Sequence, residues 1–514
     1  MIRSFLTVSS GTLASRLLGF LRDSIIAALL GAGAVADAFL VAFQLVNVVR
    51  RLLSEGGLNA ALVPAWLRVR EADGAAAAAA FAGRVLGTVS TALILASALI
   101  GLLMPLVIAA LAPGFVGHET LGFAVNDARL MLSYLAFAGP VTVMMGLLNA
   151  QGRFALTAFS PLLFNIALIA VMAALLGWRP EAADTALILA ATVGIAGLLQ
   201  LAILVLRGGR LATPLRTSFD GEMRGFLGKA VPGMIASSGP QLLMVAGAII
   251  ASNSPSAVSW LYFANRLVEL PLGIVGVAMG TVLIPELTRA LRSDDAAAIA
   301  HAESRGLELA VGLALPATLG LIVLSTPIVR MLFEHGAFAA ADTAATAAAL
   351  IWLTLGLPAH VLVKALSPAF YAREDTLAPL IAALKGAAVA IASAFLFGHL
   401  FGAPGIAAGI ALGAWSTALA LIRNGAASFG FSIDAAARRR LPRILAAALA
   451  MGGLLWLKAS FVLPLAAGAH GLAQAALLLI LIIGAIAIYG LFLALFGVVS
   501  WREAVAAIRR NRSL

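Results

Sequence analysis

The chain of 514 residues carries 62% hydrophobic and only 11% charged side chains. Because soluble domains carry about 25% charged residues, this composition excludes an ordinary soluble protein and indicates a helical protein with many membrane spans. The absence of cysteine excludes disulfides and thiolate metal sites. No cleavable signal peptide is visible, so the first apolar segment is expected to remain as an anchor.

Apolar segments follow one another along the whole chain. A spanning helix needs roughly 20 mostly apolar residues, and on that basis the pattern predicts about fourteen such helices. In chain order they are expected near 10–31, 37–66, 83–111, 127–149, 156–177, 184–206, 226–252, 258–287, 305–325, 344–370, 377–400, 404–423, 442–461 and 473–498. The second, eighth and tenth are long and contain glycine or proline.

The net charge of +11 lies mostly in alternate loops. Basic loops carry residues such as Arg68, Arg153 and Arg373, whereas the loops between them, including residues 113–127, are poor in lysine and arginine. This alternation follows the positive-inside rule and accounts for the charge without a nucleic-acid partner. It predicts an even number of spans with both termini in the cytoplasm.

The sequence also contains an internal repeat. LVPAWLR at 62–68 resembles LIPELTR at 283–289, and Arg153 and Arg373 follow long helices at nearly the same spacing. Six predicted helices separate the matches, so the two halves are expected to be parallel repeats. We therefore expect an N-lobe over 1–215, a basic cytoplasmic linker over 216–225, a C-lobe over 226–425, and two further helices with a basic tail over 441–514.

Charged side chains interrupt these apolar helices. A charge at the centre of a spanning helix costs about 2.5–3.5 kcal/mol, so such residues are expected to face a wet cavity or one another. In the first helix Arg16 and Asp23 share a face, and Ser15 and Arg22 share the neighbouring face. The other candidates are Asp37, Arg50, Arg51 and Glu55 of the second helix, Asn165 of the fifth, and Arg266 and Glu269 of the eighth.

Two interpretations of these residues stay open. In the functional one, arginines surround a cationic cavity and fork onto phosphate oxygens. The expected substrate-binding residues are Ser15, Arg16, Arg22, Asp23, Asp37, Arg50, Asn165 and Arg266, and the expected gating residues are Arg51, Glu55 and Glu269. In the structural one, ion pairs only hold the bundle together, arginines snorkel towards the membrane surface, and amides bond neighbouring helices.

Signatures of catalysis are missing from the sequence. No G-x-S-x-G, P-loop or acidic metal cluster occurs, and the histidines do not have metal-ligand spacing. We therefore expect a protein that is not an enzyme and that uses no cofactor. A coupling ion, either Na⁺ or H⁺, stays possible and is not identifiable from the sequence.

Several long stretches are similar to the MurJ (MviN) family of lipid II flippases, in the multidrug/oligosaccharidyl-lipid/polysaccharide exporter superfamily. They are SRLLGFLRD at 15–23, GAGAVADAFLVAF at 31–43, RRLLSEGGLNAALVP at 50–64, APGF at 112–115, and SWLYFANRLVELPLGIVGVAMGTVLIPELTR at 259–289. The resemblance implies an all-α membrane fold with about fourteen helices. Two six-helix lobes would surround a central cationic cavity, and two C-terminal helices would border a groove for a polyprenyl tail.

The resemblance also implies a function. The family moves undecaprenyl-pyrophosphate-linked disaccharide-pentapeptide across the bacterial inner membrane by alternating access tied to the membrane potential. It associates arginines at the positions of Arg16, Arg22, Arg50 and Arg266 with function, and acids at the positions of Asp23, Asp37, Glu55 and Glu269 with the cavity or its gates. The expected partners are the lipid-linked precursor, membrane lipids and the cell-wall synthesis machinery.

The sequence departs from the family pattern at three places. Asn265 replaces the common aspartate before the arginine of the eighth helix, Val46 replaces a proline, and the seventh helix has no acid that would hold sodium. Three alternatives remain: an exporter of drugs or of another lipid-linked saccharide, a membrane enzyme acting on such a precursor, and a scaffold for cell-wall assembly.

Overall fold

The computed structural model describes residues 2–54, 57–209, 211–236, 239–279, 286–287, 289–290, 295–371, 373, 375–465 and 471–498. Glu55, a predicted gating residue, lies outside the described residues, as does the basic tail after residue 498. Helices are the only regular elements within the described ranges, which confirms the predicted all-α class.

The chain forms two compact units. Unit 1 comprises Met1–Ser259 and Phe333–Asp342, and unit 2 comprises Trp260–Leu332 and Thr343–Leu514. The first ten helices belong to unit 1. They are α1 (Ile2–Leu30), α2 (Ala34–Ser54), α3 (Gly57–Leu102), α4 (Met104–Leu111), α5 (Glu119–Met131), α6 (Ser133–Ala150), α7 (Phe154–Trp178), α8 (Ala182–Gly208), α9 (Gly221–Ala236) and α10 (Gly239–Ala251).

The next helix, α11 (Ala257–Ala278), begins in unit 1 and continues into unit 2. The helices that follow it are α12 (Ala296–Val323), α13 (Ser325–Phe333), α14 (Ala340–Leu355), α15 (Leu357–Tyr371), α16 (Leu377–Phe401), α17 (Ala403–Phe429), α18 (Ala435–Leu465) and α19 (Leu472–Leu495).

Many of these helices suit a membrane. Within the described residues, ten helical segments are long and apolar enough to span a bilayer, and the full number of fourteen stays a prediction. Large apolar side chains are widely exposed, among them Leu102 at 76%, Leu206 at 81% and Ile480 at 67%. Apolar exposure on this scale is expected of helices that face lipid and not water.

Small residues allow helices to pack closely in unit 2. Helices α16 and α17 lie against each other, and a Cβ added at Gly409 would stand 2.4 Å from the backbone nitrogen of Ala394. Since lipid gives little hydrophobic drive for association, close backbone packing of this kind stabilises helix pairs in membranes.

The prediction of an outer loop over 113–127 is wrong for residues 119–127, which are helical. After a short turn at Pro113–Phe115, helix α5 already begins at Glu119 and packs on α2 and α8. Asp127, which marked the end of that loop in the sequence, is only 1% exposed. Tertiary packing therefore extends the helix over residues whose polarity favoured a loop.

Each unit has an arginine that contacts the last turn of a helix. In unit 1, Arg153 donates to the backbone oxygen of Arg207 at 2.6 Å, at the end of α8. In unit 2, Arg373 lies 3.8 Å from the ring centre of Phe429, the last residue of α17. Both guanidinium groups thus contact the C-terminal end of a helix, where a positive charge is favourable. The contacts differ in kind, a hydrogen bond to a carbonyl in unit 1 and a cation–π contact in unit 2, so the repeat stays a prediction.

A second repeated feature is an aspartate that caps the helix after each of these ends. The Met223 N–H donates to Asp220 at 2.8 Å at the start of α9, and the Ala437 N–H donates to Asp434 at 2.6 Å at the start of α18. These backbone N–H groups hold the pKa of both carboxyl groups below their ordinary values.

Candidate functional site

A buried polar network lies where α1, α2 and α7 meet in unit 1. The Arg22 guanidinium donates to Asp23 Oδ1 through Nε at 2.9 Å and Nη2 at 2.7 Å, and through Nη1 to Asn165 Oδ1 at 2.9 Å. The Phe43 ring lies 4.9 Å from the same guanidinium. Three helices therefore fix the position of one cation.

Burial makes this network energetically demanding. Arg22 is 7% exposed and Asp23 is fully buried, so each charge depends on the other for compensation. Breaking such a pair by removing one partner leaves an uncompensated charge and costs about 3–5 kcal/mol. Asn165 completes the network because its Nδ2 donates to the backbone oxygen of Ser15 at 3.2 Å.

The other candidates on α1 behave differently from Arg22. The Arg16 side chain is exposed, together with Leu13 and Leu17, while Ser15 is half-buried. The structure therefore unites Ser15, Arg22 and Asn165, and it puts Arg16 on the exposed face of the helix.

Asp37 joins two helices of unit 1. Its Oδ1 accepts hydrogen bonds from the backbone N–H of Ser259, at 2.8 Å, and from the Ser259 hydroxyl. The carboxylate is 2% exposed and lies at the first turn of α11, where unpaired N–H groups and the helix dipole favour a negative charge. In this conformation Asp37 fixes the start of α11.

The end of α2 carries two half-buried arginines. Arg50 donates through Nη2 to Asn47 Oδ1 at 3.2 Å, and Arg51 lies in the last helical turn. Positive charges are favourable at this end of a helix. The structural interpretation of Arg50 and Arg51 and the functional one both fit this position.

In unit 2, Arg266 and Glu269 form the predicted pair on α11. Arg266 Nη1 donates to Glu269 Oε2 at 2.9 Å, and Asn265 Nδ2 lies 3.5 Å from Glu269 Oε1. The two charged side chains are 21% and 23% exposed, so neither is fully buried.

Sequence analysis missed two ionisable residues on α15 of unit 2. His360 and Lys364 are one turn apart, and the Lys364 ammonium lies 3.4 Å from the place of a Cβ on Gly276 of α11. The signal was present in the sequence, because LPAHVLVKALSP contains a cation inside an apolar helix. An ionisable residue in a spanning helix is a functional candidate by default.

The fold defines the class first, and this class is the polytopic helical membrane proteins. A solved multidrug resistance MATE family transporter of the MOP superfamily, in an inward-facing conformation, superposes with a TM-score of 0.63 at 18% identity, over 84% of this chain and 95% of that one. A solved lipid II flippase MurJ in an inward closed conformation gives 0.79 at 23% identity, over 97% of this chain and 100% of that one.

Sequence comparisons identify the family within that class. The family model of lipid II flippase MurJ matches residues 26–489. Proteins named probable lipid II flippase MurJ are 36% identical in Rhizobium tropici, over 99% of this chain and 96% of the relative, and 37% identical in Rhizobium meliloti, over the same shares. The chain belongs to the lipid II flippase MurJ family. It is accordingly a multi-pass protein of the bacterial inner membrane and a transporter, not an enzyme.

Proposed function

We propose that this protein translocates the lipid-linked peptidoglycan precursor, lipid II, from the inner to the outer leaflet of the cytoplasmic membrane. The proposal is supported by the names of its relatives and, above all, by the buried Arg22 network within apolar helices. An arginine suits recognition of a pyrophosphate, since its guanidinium stays charged and has five N–H donors, of which Asp23 and Asn165 accept from three in Arg22.

In this proposal the arginines contact the anionic head group while lipid solvates the polyprenyl tail. The substrate-binding residues are Ser15, Arg16, Arg22, Asp23, Asp37, Arg50, Asn165 and Arg266, and the gating residues are Arg51, Glu55 and Glu269. An outside-positive potential favours outward movement of negative charge by about 2.3 kcal/mol per charge per 100 mV. The membrane potential is thus the proposed driving force for alternating access.

We also propose the organisation that such transport needs. The N-lobe over 1–215 and the C-lobe over 226–425 carry the arginines, the linker over 216–225 and both termini face the cytoplasm, and residues 441–514 guide the polyprenyl tail. A cleft of about 460 Å³ between α18 and α19 supports a lipid-facing role for this last region. It is lined by Arg443 together with apolar residues such as Leu495 and Phe496.

A second candidate is export of a drug or of another polyprenyl-linked saccharide, favoured by the likeness to MATE transporters. A transporter of cationic drugs is expected to use acidic residues, whereas arginines outnumber acids among the proposed substrate-binding residues of this chain. Accumulation of a different lipid-linked saccharide on depletion would identify this alternative.

Depletion in a bacterial host tests the proposed function. The host's own flippase is replaced by this chain under a repressible promoter, and labelled precursor is measured in each leaflet as expression falls. We expect precursor to accumulate in the inner leaflet before cells lyse. Unchanged outer-leaflet precursor after complete loss of the protein would contradict the proposal.

A further inference from the structure

Asp127 of α5 is a buried acid that the proposed transport mechanism does not use. Its side chain is 1% exposed, and its Oδ2 atom has no hydrogen-bond partner among the described residues. Arg129, two residues further along α5, is exposed and donates instead to the backbone oxygen of Gly101 at 3.2 Å. The neighbouring arginine therefore does not neutralise Asp127.

The helices packed on α5 offer little compensation either. Asp184 and Arg207 of α8 are exposed, Asp37 of α2 bonds Ser259, and Arg50 of α2 bonds Asn47. The full set of titratable and charged groups on α5 and its neighbours, besides Asp127, is Glu119, Arg129, Asp37, Arg50, Arg51, Tyr134, Asp184 and Arg207. Helix α4, which also packs on α5, carries no charged residue.

An ionised carboxylate in such a site is expensive. Burying a charge without a pair or hydrogen bonds is so unfavourable that the group takes up a proton or a cation instead. A bound Ca²⁺ needs several oxygen ligands, and within the described residues no group of three or more histidine, cysteine, aspartate or glutamate side chains could hold a metal ion. A proton needs only the carboxyl group itself.

We propose that Asp127 is a proton-binding site of unit 1. The carboxyl group is neutral in this conformation and releases its proton to water when the transport cycle hydrates it. Release breaks the O–H bond, leaves the electron pair on the carboxylate, and needs no other reactant. The site couples proton binding to the movement of the precursor, a step that rests on the proposed function.

Infrared spectroscopy tests the site without any transport. Purified protein in lipid nanodiscs is titrated between about pH 5 and about pH 9, a range that spans the ordinary carboxyl and histidine groups. We expect a carbonyl band of a protonated carboxyl group to persist at neutral pH, to vanish in Asp127→Asn, and to remain in Glu119→Gln. Asp127→Asn keeps the shape of the neutral acid, so it is expected to fold. A wild-type spectrum identical to that of Asp127→Asn would overturn the proposal.

Transport measurements test the coupling. In liposomes, the flipping rate of wild-type protein is expected to depend on pH, and Asp127→Asn to lower it by about 5- to 150-fold and flatten that dependence. Asp127→Glu retains a titratable carboxyl group and is expected to keep the pH dependence of the flipping rate. Glu119→Gln removes an exposed acid from the same helix and serves as the matched control. Equal rates and pH profiles for wild type and Asp127→Asn would overturn the coupling. If the infrared band of Asp127 is present but the protein flips no precursor, the proton site is supported and the proposed function is rejected.

Discussion

The arginine pair of unit 1 and the arginine pair of unit 2 use the same chemistry in different surroundings. Arg22 and Asp23 are buried and bonded to Asn165 of another helix, whereas Arg266 and Glu269 are each more than a fifth exposed and lie on one helix. A buried pair is costly to break, while an exposed pair three residues apart contributes only about 0.2–0.5 kcal/mol. The comparison therefore distinguishes Arg22, which stabilises the fold, from Arg266, which is expected to exchange its glutamate partner for an anionic ligand.

This difference has a mechanistic consequence for the proposed transport. Separating Arg266 from Glu269 is expected to cost less than separating Arg22 from Asp23, because both side chains of the first pair are partly exposed. Arg22 cannot leave Asp23 without stranding a buried carboxylate. An anion that approaches Arg22 is therefore expected to meet a guanidinium whose orientation Asp23 and Asn165 have already fixed.

The largest expected effect comes from Arg22→Ala. Removing the guanidinium strands the Asp23 carboxylate in a buried site, so the free energy of unfolding should fall by about 3–5 kcal/mol. Unfolding of purified protein in detergent measures the loss. The double variant Arg22→Leu with Asp23→Leu removes both charges and should recover most of it. An Arg22→Ala protein as stable as wild type would contradict the claim that the buried pair stabilises the fold.

A smaller effect is expected from Asn165→Ala. It removes the amide that accepts from Arg22 and donates to Ser15, and leaving a buried donor without its acceptor costs about 1–3 kcal/mol. The same unfolding measurement applies, with Asn253→Ala in an exposed turn as the matched control. A loss no larger than that of the control would show that Asn165 does not hold the network.

The smallest effect on stability is expected from Arg266→Ala. The free energy of unfolding should change by about 0.5 kcal/mol or less, because the pair is local and partly exposed. Glu269→Gln should behave in the same way and serves as the companion variant. A loss comparable with that of Arg22→Ala would mean that both pairs are structural, and the contrast between the units would disappear.

Much of the architecture could be predicted because hydropathy and spacing report directly on membrane helices. The spacing predicted correctly that Ser15 and Arg22 lie close together, since Asn165 contacts both. The face predicted to be shared by Arg16 and Asp23 is wrong, because Arg16 is exposed and Asp23 is fully buried. Its partner Asn165 was foreseen only as a candidate, because contacts between α1 and α7 depend on tertiary packing. The exposed position of Arg16 was not foreseen, for the same reason.

The tertiary contacts of two other residues could not be predicted from the sequence. Residues 113–127 were predicted as an outer loop, yet packing of α5 on α2 and α8 buries Asp127. Asp37 was predicted as a substrate-binding residue, and only its contact with Ser259, 222 residues away, reveals that it caps the start of α11. Such contacts over long sequence separations carry no local signature.

The most direct test of the account is precursor transport by Arg266→Ala in cells that depend on this chain. Because the variant is expected to fold and insert as the wild type does, a change in transport reports on the arginine itself. We predict normal protein levels, an unchanged melting temperature, and lipid-linked precursor trapped in the inner leaflet. Full accessibility of the precursor in the outer leaflet would contradict the claim that intramembrane arginines carry the anionic head group.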